Sequence, residues 1–109
     1  QAARLEADRA RTQRAELERQ VEMQVRQAHD ALRTAGTSRA AADARLAAAR
    51  RTWELVSRRW EEGIAPHVEF VDARTAYTAA GLNAVLTRYD HALRYVELER
   101  AAALRALEP

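Results

Sequence analysis

The sequence has no cysteine, no lysine, three glycines, two prolines and a single phenylalanine. The absence of cysteine removes disulfides and thiol chemistry, without fixing a compartment. The scarcity of glycine and proline, in a composition that is 48% hydrophobic and 31% charged, points to helix rather than to a sheet protein. No stretch of about 18 apolar residues occurs, so no transmembrane helix is expected, and the charged N-terminus has no apolar signal core. Every basic side chain is arginine. Arginine grips carboxylates with two bonds, which suits laterally packed helices, although a coding bias toward arginine is the plainer explanation. The formal net charge is only +2, and Arg and Glu are interspersed rather than blocked, which argues against a nucleic-acid partner.

What is present is helical periodicity. Val21, Val25, Ala28, Leu32, Ala35, Arg39, Ala42, Leu46, Ala49, Trp53, Val56 and Trp60 recur at alternating steps of three and four, with only Arg39 polar. That is a coiled-coil seam, and its high alanine content makes it shallow. A flank of Ala41, Ala44, Ala48 and Leu55 widens the apolar face, so the helix has a second neighbour to satisfy. Downstream, Val71, Thr75, Thr78, Leu82, Val85, Tyr89, Ala92 and Val96 form the stripe expected to serve as the seam of a second helix, with Leu86, Leu93, Arg100 and Leu107 adjacent to it. At about 1.5 Å per residue the two helices would measure roughly 90 Å and 55 to 60 Å. Gly36, between hydroxyl residues, weakens the first helix, but the three-four phase passes through it unchanged, so continuity or a mild bend is expected.

Both patterns are interrupted together between Trp60 and Arg74, where Gly63 and Pro66 mark a chain reversal. Gly63 is the expected C-terminal cap, since glycine enters the left-handed conformation that other residues resist. Ile64 follows at the exposed turn. Pro66 suits the first turn of a second helix, with Ala65 a poor cap before it. Glu69 and Asp72 place negative charge in the first turns, where it complements the helix dipole. The predicted fold is therefore all-α: one antiparallel two-helix coiled-coil hairpin over 1–109, with helix 1 at about 2–62, the tip at about 63–67 and helix 2 at about 68–107.

The tip carries a signature. Trp60, Gly63, Ile64, Glu69, Phe70, Val71, Asp72 and Ala73 occupy the positions of the pattern Tyr-x-x-Gly-Leu-x-Ser-x-x-Asp-Val-Leu-Asp-Ala, and this run resembles the hairpin tip of TolC-like outer membrane efflux proteins. Val25-Arg26-Gln27-Ala28 and the stretch from Asn83 to Leu104 extend the resemblance over nearly the whole chain. Pro66, Trp60 and Glu69 depart from the family's Ser, Tyr and Asp; losing the Ser puts the usual capping box in doubt. The Arg- and Glu-rich lead-in to Val25 is closer to the second of the family's two repeats. The resemblance implies a segment of a longer protein, as the start at Gln1 rather than Met also suggests, with membrane-spanning β-strands outside this sequence. It implies a homotrimer whose six hairpins form a periplasmic α-barrel below the outer membrane of a Gram-negative cell. That barrel conducts solutes or drugs from an inner-membrane pump. Glu62, Gly63 and Ile64 would meet the periplasmic adaptor (the membrane fusion protein), and Glu69, with Asp72 as a further candidate, would line a carboxylate ring at the pore mouth.

Chemistry is not expected. His29, His67 and His91 lack a second histidine three or four residues away, so no helical metal site is read, and no cofactor is expected. There is no nucleophile-base constellation and no glycine-rich phosphate loop, so the chain is read as a non-enzyme. The alternative is a structural or interaction hairpin, such as that of a periplasmic adaptor. Such a tip should carry arginine, an aliphatic and a hydroxyl residue, whereas this one offers Gly-Ile-Ala-Pro.

Overall fold

The computed structural model describes residues 1–107. The described chain is all-α, with two long helices, α1 (Ala2–Glu61) and α2 (His67–Ala106). Two compact units are formed, one of Thr34–Ala92 and the other of Gln1–Arg33 with the described part of Leu93–Pro109. The first of these is a helical hairpin closed by the reversal between Glu61 and His67. Asp43 is held there by Arg88, whose Nε and Nη2 donate to one carboxylate oxygen at 3.2 and 3.0 Å. In the other unit, residues 1–20 are exposed throughout and partial burial begins at Val21.

The α1 seam lies where its periodicity placed it. Val21, Val25, Ala28, Leu32, Ala35, Ala42, Leu46, Ala49, Trp53 and Val56 are the buried or half-buried positions of that row, while Arg39 and Trp60 stay exposed. The helix is continuous through Gly36. A Cβ at that position would lie 3.5 Å from His91 Nε2. Arg39 reaches across to the same ring, its Nη1 standing 3.3 Å from His91 Nδ1. A guanidinium can only donate, so Nδ1 is the acceptor in this contact.

The stripe expected for α2 is not its seam. Val71, Leu82, Val85, Leu86, Tyr89, Leu93 and Val96 are all exposed. The buried and half-buried row is instead Phe70, Ala73, Tyr77, Ala80, Ala84, Thr87, His91, Arg94, Leu98 and Ala101, which also advances by three and four without a break. The reason lies in how closely the helices approach. Among the described residues six of the seven buried ones, Ala35, Ala42, Ala65, Ala73, Ala84 and Ala101, are alanine, so contact is made through small side chains, and branched ones at those positions would push the backbones apart. Gly81 extends the same logic, with Leu46 Cδ1 3.8 Å from the position of a Cβ. Aromatic pairing then fixes the phase at the reversal, because Phe70 and Tyr77 both meet Trp53.

The glycine geometry separates two substitutions. Gly36→Ala is expected to stabilise the chain by about 0.5–1 kcal/mol, since the added methyl meets His91 at ordinary contact distance and helix propensity improves. Gly63→Ala should destabilise it by about 1–2 kcal/mol, because the backbone there is left-handed. Urea titrations followed by circular dichroism check both; the same sign for the two would contradict this account.

Candidate functional site at the helix reversal

Gly63 adopts φ 76°, the one left-handed residue of the chain's described part. Its N–H donates to the Trp60 carbonyl at 3.0 Å, and the Ile64 N–H donates to the Arg59 carbonyl at 2.8 Å. These are the paired bonds of a Schellman cap, which satisfy two of the carbonyls that end α1. The Ala65 N–H shares the Arg59 carbonyl at 3.1 Å, drawing the chain back under the helix. Ala65 is consequently buried with Val56 and Ala73, and Trp53 and Phe70 pack over them. Folding Ala65 inward turns Ile64 outward, where it is 62% exposed.

α2 begins at His67, one residue beyond the proline that the sequence places in its first turn. The Pro66 carbonyl accepts from the Phe70 N–H at 3.2 Å, so proline sits at the helix entrance, where its fixed φ helps and its missing donor costs nothing. The entrance is clasped by rings. Phe70 lies 5.0 Å from Trp53 and 5.1 Å from Trp60 between centroids, the latter pair near-parallel, and His67 lies 5.2 Å from Trp60. Such contacts add about 0.5–1.5 kcal/mol each beyond area burial.

The two carboxylates of the first turns have different surroundings. Glu69 is half-buried and accepts from Arg59 Nη1 at 3.3 Å, bridging the end of one helix to the start of the other. With both side chains about 40% exposed, solvent screens much of that attraction. Asp72 is exposed. Glu62 and Gly63 are also exposed and sit beside Ile64 at the outermost turn. The sequence reading missed Val68, 66% exposed next to this turn. Its signal was available, since the outward helix positions beside Phe70 follow once Phe70 is recognised as the inward residue.

The tip is a surface rather than a pocket. Among the described residues no group of three or more His, Cys, Asp or Glu is placed to hold a metal ion. Nor is any helix among them long and apolar enough to cross a membrane. What the geometry offers is a rigid, ring-clasped turn that presents Glu62, Gly63, Ile64 and Val68 to solvent.

If the clasp carries the local stability, Trp53→Ala should lower the unfolding free energy by about 2–4 kcal/mol. Removing the ion pair with Glu69→Gln should change it by less than about 1 kcal/mol. Denaturant midpoints of the two variants decide this, and an equal loss in both would shift the weight to the Arg59–Glu69 bridge.

Comparison of this chain with protein-family models, with curated proteins and with solved structures gave no match in any of the three.

Proposed function

We propose that this chain is the periplasmic hairpin of a TolC-like outer membrane efflux channel, part of the tunnel that conducts solutes or drugs exported by a tripartite pump. The observation that carries the reading is the tip: the pattern Trp60-x-x-Gly63-Ile64, followed by Glu69 and Val71-Asp72-Ala73, coincides with a chain reversal in which Gly63 is left-handed and Ile64 points outward. Ile64 and Val68 are both exposed at this turn, so the tip offers a partner two neighbouring aliphatic side chains.

In this reading Glu62, Gly63 and Ile64 dock the periplasmic adaptor, whose own helical tips approach closely because Gly63 has no side chain. A Cβ at Gly63 would meet nothing within 4 Å, so the space above it is open to a partner. Glu69 and Asp72 belong to the pore mouth. Glu69 is the better placed for a closed state, since its carboxylate already binds an arginine of the same hairpin. The outward apolar stripe of α2 supports a wall of neighbouring helices, supplied by three protomers of the full-length protein. The membrane-spanning strands lie outside this sequence, and the inner-membrane pump is reached through the adaptor. The function is conduction and gating, with no catalytic step and no cofactor.

The test uses the full-length protein. Gly63→Asp is expected to abolish drug export and adaptor cross-linking while the protein remains in the outer membrane, because a branched, charged side chain resists the left-handed backbone and blocks close approach. Glu69→Ala should leave assembly intact and change single-channel conductance or loosen resting closure. Normal export and cross-linking by Gly63→Asp would remove the docking assignment; parental conductance in Glu69→Ala would leave Glu69 as a bridge to Arg59 alone.

A further inference from the structure

Away from the tip, a groove of about 440 Å³ lies within the Thr34–Ala92 unit, where α1 faces Tyr77 of α2. That volume falls inside the range of about 300–1,000 Å³ typical of small-molecule sites. Leu46 and Ala47 give the groove an apolar lining on α1. Tyr77 gives it an aromatic wall, and its ring is held 6.5 Å from that of Trp53, so the wall is in place before anything binds. The remaining lining residues are charged, and their charges do not cancel. Arg88 donates twice to one carboxylate oxygen of Asp43, and Arg50 Nε donates to Glu54 at 3.1 Å. Each carboxylate of the groove therefore already has an arginine. Arg51, also in the lining, has no hydrogen-bond or ion-pair partner among the described residues. One whole guanidinium is left over, together with the Nη nitrogens of Arg50.

We infer that this groove binds a small aromatic anion, an aryl carboxylate of one or two fused rings, with its charge on Arg51 and Arg50 and its ring against Tyr77. A guanidinium only donates, and it holds a carboxylate with two charge-assisted bonds. A cation would meet the leftover positive charge, because both carboxylates of the lining are already bound. A neutral polyol would leave Leu46, Ala47 and the Tyr77 ring without a use. An aromatic acid satisfies both halves of the lining, since its ring gains from contact with Tyr77 while its carboxylate takes the free donors. Ala47, Arg50, Arg51 and Glu54 are exposed, so the ligand stays partly in solvent and binding is weak, with a Kd of roughly 0.1–1 mM. The groove is formed within one hairpin and shares no residue with the tip, so the inference does not rest on the efflux reading.

The probe is 2-naphthoate, titrated at neutral pH and followed by saturation-transfer difference NMR, which reads weak binding on the ligand itself. Binding to the parent protein should saturate with a Kd of about 1 mM or below. Arg51→Ala should weaken it at least about fivefold. Arg45→Ala removes the same charge from an exposed arginine outside the lining and should bind like the parent. Arg51 is exposed and unpaired, so its loss leaves the helices intact, and circular dichroism checks this. The uncharged 2-naphthol carries the same rings and should bind at least about fivefold more weakly than 2-naphthoate. Absence of saturation up to about 10 mM, equal binding of 2-naphthol, or equal losses in Arg51→Ala and Arg45→Ala would each overturn the site. Neither export nor adaptor cross-linking is read in this experiment, so its failure leaves the tip assignment untouched.

Discussion

Close approach of two helix backbones through alanine is the constraint on which the structure depends. Alanine contributes little area per residue, so the seam gains its stability from many shallow contacts at short separation rather than from large buried side chains. Ala35, Ala42, Ala73 and Ala84 hold the gap narrow, and among the described residues no large side chain is fully buried. Every larger residue must then sit at the edge of the seam, at the reversal, or outside. The aromatic clasp, the outward α2 stripe and the exposed turn are three consequences of that exclusion.

At the reversal the contact passes from alanine to rings. Trp53, Trp60, Phe70 and Tyr77 gather there, and the same chain segment turns Ala65 in and Ile64 out. Rigidity and presentation are linked: the Schellman bonds and the ring contacts fix the turn, and a fixed turn displays Glu62, Gly63 and Ile64 without a conformational search on binding. The Arg59–Glu69 bridge adds direction more than stability, tying the start of α2 to the last turn of α1.

The ion pairs along the outer surfaces have a lesser role. Arg14 with Glu18, Arg33 with Asp30 and Arg50 with Glu54 are pairs within one helix, exposed by 40% or more, and each supports its own helix by only a few tenths of a kcal/mol. Asp43–Arg88 differs because it joins the two helices.

Much was legible without coordinates. The unbroken three-four row from Val21 to Val56 determined the α1 seam, and the paired Gly63 and Pro66 determined the reversal, because both follow from local backbone physics and strict periodicity. The seam of α2 did not follow from its hydrophobicity. Two rows on that helix share the same spacing, and the more hydrophobic one, through Leu82, Val85 and Tyr89, lost to the row through Ala73, Ala84 and His91. Side-chain size against a close neighbour decided it. Sequence lists how apolar each face is, but only the separation of the two helices, fixed by alanine on α1 and by rings at the tip, determines which face fits. The same applies to Glu69, whose acid the sequence placed in the first turn of α2 and whose partner, Arg59, only the reversal could bring within reach.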